Sequence, residues 1–162
     1  ARPAAALTTL ATRSARRVST FMRTEKSGLP TFLIEKGGLN SGFMMVQVTA
    51  AALASECKSL CFPASVDSIP TNNDQEDHVS MGPGAGLKAL TIAGHVRYVL
   101  AIELMVAAQA LDMLAPLKTS AKLEKVKATI RKRVKFLKED RVFTPDIEAV
   151  QEMVGSGILL SP

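Results

Sequence analysis

The stretch YVLAIELMVAAQALDML, residues 98–114, constrains the fold more than any other part of the chain. As a helix it is apolar on nearly every face, and such a helix belongs in the middle of something larger. The pattern reaches back to the Gly-Pro-Gly step at residues 82–84 and predicts a helix over about 85–114. A second apolar helix is predicted over 42–60, GFMMVQVTAAALASECKSL, whose small residues let neighbouring backbones approach closely. A chain of 162 residues cannot cover both by itself, so the expectation is an obligate assembly in which other chains supply the missing cover. Neither run reads as a membrane span. A span needs about 20 mostly apolar residues, whereas the longer run carries Glu103, Gln109 and Asp112 and the shorter carries Gln47 and Thr49.

The rest of the chain is also helical in pattern. Residues 3–23 read as a helix entered at Pro3, with Leu7, Leu10, Val18 and Phe21 on or near one face. The other reading of the first 17 residues, rich in Arg, Ser and Thr, is a transit peptide. The helix is preferred, because a transit peptide normally begins with Met and is removed. The start at Ala1 reads as a processed or truncated product. Pro63 and Pro70 bracket an extended segment. Thr119 or Ser120 caps a helix over 120–138, with an apolar stripe of Leu123, Val126, Ile130, Val134 and Leu137. Thr144 as N-cap and Pro145 at the first helical position open a helix over 145–154, which Gly155 ends. No strand alternation or internal repeat is visible. Aromatic residues are only 4% and there is no Trp, which suits close helix-on-helix packing. The fold class is therefore all-α, a long-helix bundle. Its core helices are 3–23, 42–60 and 85–114, and its peripheral helices are 120–138 and 145–154.

Net charge is +5, yet residues 118–141 hold 10 of the 20 Lys and Arg against 3 acids, so the rest of the chain is slightly acidic. A nucleic-acid surface would interleave stacking aromatics or a reading motif. Only Phe136 is present here, and the segment reads as a solvated helix face, with neither nucleic acid nor membrane as partner. Cys57 and Cys61 share a helical face, a spacing poorly placed for a disulfide, and no second pair completes a zinc site. Two free thiols suit a reducing compartment, and a cytoplasmic protein is expected.

The oddest stretch is TNNDQEDHVSMGPG, residues 71–84, which gathers amides, carboxylates and a histidine at one loop. Read from the residues alone, Glu76 is either an acid favoured by the next helix's dipole or part of an active-site wall. Asp77 and His78 read as local scaffold that caps and bonds backbone. With only His95 as company, His78 makes an improbable metal ligand, and no metal is expected.

Several blocks in order, GGLNSGFMMVQVTAAALASE, PASVDSIPT and QEDHVSMGPGAG, resemble the C-terminal part of the aromatic amino acid lyase family, in its histidine ammonia-lyase branch. LPTFLIEKGGLNSGF and LKTSAKLEK fit the same pattern. The resemblance implies the fumarase/aspartase-like superhelical fold of the ammonia-lyases and a homotetramer with active sites shared among subunits. The implied reaction is elimination of ammonia from L-histidine to give trans-urocanate. The implied electrophile is a methylidene-imidazolone (MIO) group, made autocatalytically from Ala-Ser-Gly. This sequence contains no Ala-Ser-Gly, and Tyr98 is its only tyrosine. The electrophile and the family's catalytic tyrosines and carboxylate-binding arginine therefore have to come from an N-terminal portion of the same enzyme. This chain alone is expected to be inactive. Two departures stand out: Asp74 replaces the family's usual Asn, and ECKSLCFP replaces its commoner pattern at residues 56–63.

On this resemblance Glu76 faces the substrate's side chain, where a carboxylate can hold an imidazole and fix its tautomer. Beside a phenyl ring a buried carboxylate would go unpaired at a cost of several kcal/mol, so Glu76 argues for histidine. It is the candidate catalytic residue, as ring holder first and as base on the β-proton second. Gln75 either hydrogen-bonds substrate or braces the loop. Met44 and Val48, four apart on one helix face, are placed beside the ring, with plain core packing nearly as well supported. Met45, Val46 and Leu53 are assigned to core. Two alternatives remain: a phenylalanine or tyrosine ammonia-lyase or aminomutase of the same family, and a non-catalytic basic helical binding module.

Overall fold

The computed structural model describes residues 2–160. In chain order the helices are α1 (Arg2–Phe21), α2 (Thr24–Ser27), α3 (Met44–Leu60), α4 (Gly82–Met113), α5 (Ala121–Arg131) and α6 (Thr144–Ser156), with single 3-10 turns at Thr31–Leu33 and Ala64–Val66. Among the described residues there is no strand, only two isolated bridges, Gly37 with Asn40 and Thr71 with Glu76.

The 32-residue helix α4 is the axis of the bundle, about 48 Å long at 1.5 Å per residue. Helices α1, α3 and α6 all pack on it. Ile92, Val96, Val99, Ile102, Met105 and Val106 are buried along it, and each such side chain contributes about 1.5–3 kcal/mol. The three polar residues inside its apolar run each tie down a neighbour. Glu103 accepts hydrogen bonds from Arg17 and Ser14 of α1. Asp112 accepts from Arg131 Nε at 2.6 Å and lies 3.4 Å from Lys127 Nζ. Gln109, fully buried, donates through Nε2 to the carbonyls of Leu33 (3.2 Å) and Leu137 (3.0 Å), and its Oε1 accepts from the Leu137 amide (3.0 Å). By length and composition α4 would pass for a membrane span; in this fold it is the core helix. Its first turns are bare, however. Leu87 and Leu90 are 66% and 71% exposed.

Helix α1 packs through Ala4, Thr8, Ala11, Ser14, Ala15 and Val18. Of the expected face, Val18 is fully buried and Leu7 and Phe21, partly buried, pack against the core. Leu10 is exposed. Small residues let the α1 backbone approach closely enough for the Thr8 hydroxyl to reach the Cys57 carbonyl at 3.1 Å.

The basic helix is shorter than expected, ending at Arg131 instead of 138. Val134 and Leu137 are buried as the stripe required, but from irregular chain. The Leu137 amide and carbonyl are bound by Gln109, and the Val134 carbonyl accepts from Arg131 Nη1 at 3.0 Å. Side chains have taken the backbone groups that a helix would need. At the other end Ser120 Oγ accepts from the Leu123 amide, and Glu124 Oε1 accepts from the Thr119 amide at 3.0 Å. That amide bond, with Lys127 beside it, holds the Glu124 carboxyl below the usual carboxylate range. Lys127, Arg131, Arg133 and Arg141, four of the ten cations of residues 118–141, form ion pairs with acids of the same chain.

Helix α6 includes Pro145 in its first turn, but Phe143, not Thr144, occupies the N-cap position, without a side-chain cap. Gly155 lies inside the helix. Gly157, at φ +74°, terminates it, in a conformation that glycine adopts without steric cost.

Candidate substrate-facing surface

The loop between α3 and α4 is built around one turn. Thr71 and Glu76 pair as an antiparallel bridge, with Thr71 N donating to Glu76 O at 3.0 Å and Glu76 N to Thr71 O at 3.3 Å. Between them Asn72, Asn73 and Asp74 take φ of +51°, +56° and +63°. Left-handed backbone disfavours most side chains, and Asn and Asp tolerate it best after glycine. This accounts for the crowd of short polar residues, and for how Asp74 can stand where Asn is usual. Gln75 closes the turn through its amide to the Asn72 carbonyl (3.2 Å), and its Oε1 accepts from Asn72 Nδ2 at 3.3 Å. The geometry thus shows Gln75 bracing the loop.

Glu76 is exposed. Its Oε2 accepts from the Thr71 hydroxyl at 2.8 Å. Among the described residues no hydrogen bond or ion pair engages its other oxygen. The helix-dipole reading of Glu76 does not fit, because α4 begins at Gly82, six residues on, and has no acid in its first turn. Ser80 Oγ instead accepts from the Gly82 amide at 3.3 Å. Asp77 and His78 are exposed and make no side-chain hydrogen bond among the described residues, so they do not cap as expected there; Ser68 Oγ does comparable work by accepting from the Val79 amide at 3.0 Å. His95 lies on α4 with Nε2 3.8 Å from Glu56 of α3.

Met44 and Val48 occupy the first two turns of α3 and are 36% and 46% exposed. They are surface residues of this chain, not core. Met45, assigned to core, is 61% exposed and is a correction; Val46 is buried and Leu53 packs against the core as expected. The start of α3 is set by contacts that the sequence did not signal. Gly42 has φ +55°, and a Cβ there would lie 2.5 Å from the Phe32 carbonyl oxygen. Phe43 is buried against Phe143, ring centroids 5.1 Å apart. Asp140 accepts from the amides of Ser41 and Gly42, each at 2.8 Å. Two clefts lie elsewhere. One of about 680 Å³ is lined by Phe62, Val66, Met81 and Lys88, another of about 570 Å³ by Leu100, Leu104, Val126 and Leu159. Neither is lined by Met44, Val48, Gln75 or Glu76, and no hydrogen bond joins the two pairs. Tyr98 lies within α4, where burial, and then Glu148, push its phenol above its ordinary value.

Residues 2–132 match the family described as aromatic amino acid lyase. The chain belongs to that family. Among curated relatives of these lyases, it is 54% identical to a histidine ammonia-lyase of Anaeromyxobacter dehalogenans over 96% of its own length and 31% of that protein. Among solved structures it matches histidine ammonia-lyase from Trypanosoma cruzi at 44% identity and a TM-score of 0.89, over 96% of this chain and 32% of that one. It matches tyrosine aminomutase from Streptomyces globisporus at 34% identity and a TM-score of 0.92, over 97% and 30%. The all-α bundle is thus the fold of ammonia-lyases and aminomutases, and the chain spans about a third of the length of the proteins it matches.

Proposed function

We propose that this chain is the C-terminal part of a histidine ammonia-lyase, which eliminates ammonia from L-histidine to give trans-urocanate in histidine catabolism. The observation that carries this reading is the Glu76 carboxylate: tethered at one oxygen, free at the other, on an outward turn. An imidazole N–H donating to the free oxygen would be held in one orientation and one tautomer. Met44 and Val48 offer apolar side chains to the ring's flank. The Gln75 amide nitrogen remains for a second polar contact, subordinate to its bracing role. The higher identity to the Trypanosoma cruzi ammonia-lyase than to the aminomutase supports the same choice.

This chain has no place for the MIO precursor. The nearest strings, Lys26-Ser27-Gly28, Asn40-Ser41-Gly42 and Gly155-Ser156-Gly157, each lack the alanine, and in the second the Ser and Gly amides are both committed to Asp140. In this reading the electrophile, and any tyrosine base, come from an N-terminal portion of the enzyme. The exposed apolar residues of α3 and of the start of α4 support a homotetramer in which neighbouring chains cover them and complete each site. A cytoplasmic location goes with the two free thiols.

The test is a substrate panel on the full-length enzyme. Urocanate formation from L-histidine, with much slower release of ammonia from phenylalanine and tyrosine, is expected. Preference for tyrosine or phenylalanine, or β-amino acid products, would replace the reading with an aminomutase or another lyase.

A further inference from the structure

We infer that Asp140 is a positioning residue for the substrate-side wall at the start of α3. The inference rests on the proposal that Met44 and Val48 flank the substrate. Helix α3 has no side-chain cap of its own, since Phe43 occupies the N-cap position. Ser41 and Gly42 are the two residues just before that N-cap, and an anion beside a helix N-terminus is favoured by the helix dipole. Asp140 comes from a segment 98 to 99 residues away, and its two oxygens accept from Gly42 N and Ser41 N, each at 2.8 Å. The grip is reciprocal: Asp140 N donates to Asn40 Oδ1 at 3.2 Å. Met44 follows two residues after Gly42, and Met44 N donates to the Ser41 carbonyl at 3.2 Å. The carboxylate therefore holds the peptide units from which the Met44 side chain springs.

The Asp140 end is itself anchored. Arg141 donates to the carbonyls of Lys135 (2.7 Å) and Phe136 (3.3 Å) and to Asp146 (2.8 Å), and Gln109 fixes Leu137. A slack acid could not set a helix start; one braced from α4 and α6 can. Gly42, at φ +55°, has no room for a Cβ, so only glycine fits where the chain enters α3.

The test uses the full-length enzyme and three variants: Asp140→Ala, Asp140→Asn and Met44→Ala. Asp140→Ala removes two charge-assisted hydrogen bonds and is expected to raise KM for L-histidine about tenfold, with a smaller change in kcat. Asp140→Asn keeps one acceptor oxygen and should recover a large part of this. The double variant Asp140→Ala/Met44→Ala should lose less than the product of the two single effects, because one residue acts through the other. Hydrogen exchange at residues 41–48 should quicken in Asp140→Ala. Full additivity, or Asp140→Ala kinetics equal to wild type, would overturn the inference even where Met44→Ala is impaired. A silent Met44→Ala would sink the wall reading and this inference with it, while leaving the role of Glu76 to its own test.

Discussion

The hydroxyl of Thr71 donates to Oε2 of Glu76 at 2.8 Å, across a bridge whose backbone bonds already join the same two residues. The carboxylate is therefore aimed, not merely exposed. Thr71→Val keeps the β-branched shape and removes the donor. In the full-length enzyme kcat/KM for histidine should fall about three- to tenfold, the worth of one modest hydrogen bond. Thr71→Ser should stay near wild type. The thermal midpoint should not move, because the turn is exposed. Equal kinetics for Thr71→Val and wild type would show that the tether does not matter.

A second expectation concerns Gln109. Gln109→Leu preserves bulk but strands the Leu33 carbonyl and both backbone groups of Leu137 in the core. Each buried orphan costs about 1–3 kcal/mol, so a loss of about 3 kcal/mol or more and a clearly lower Tm are expected. A melting curve superimposable on wild type would mean that these groups find other partners.

Much of this fold is legible in the sequence because its periodicities are strong. The apolar run around Ile102 and Val106 dictates a core helix. What escapes is decided by partners far along the chain. The stripe through Val134 and Leu137 marks burial correctly, but cannot reveal that Gln109 and Arg131 claim those backbone groups and stop the helix at Arg131. Met45 looks like core by composition yet faces outward, because the run around it is too uniformly apolar for a period to mark the buried face. Asp140 lies in a basic, surface-like stretch; nothing local marks it as the partner of Ser41 and Gly42. Glu76 stands out in the sequence through the family resemblance alone, and its tether to Thr71 is visible only in the geometry.

The two thiols should behave differently. Cys57 is fully buried in α3, and burial, with Glu56 next, pushes its thiol above the ordinary range. For such a group the unfolded chain ionises first. Its stabilising contribution is complete below the ordinary thiol pKa and is lost as pH rises from there through the folded value. At neutral pH Cys57 should resist alkylation in the native enzyme, with Cys61 reacting first. Peptide mapping after denaturation without reductant should find both Cys57 and Cys61 as thiols. Rapid native labelling of Cys57, or a Cys57–Cys61 disulfide, would contradict the packing described for α3.

The most direct test of the central claim is the ratio of kcat/KM for L-histidine to that for L-phenylalanine, in the full-length enzyme and its Glu76→Gln variant. Glutamine keeps size and some hydrogen bonding but removes the charge. Losing a charge-assisted hydrogen bond costs about 1.5–3 kcal/mol, or about one to two powers of ten in rate. If Glu76 holds the imidazole, histidine turnover should fall by that much, phenylalanine should be spared or gain, and the ratio should drop at least tenfold. A ratio unchanged from wild type would contradict the assignment of Glu76 to the substrate.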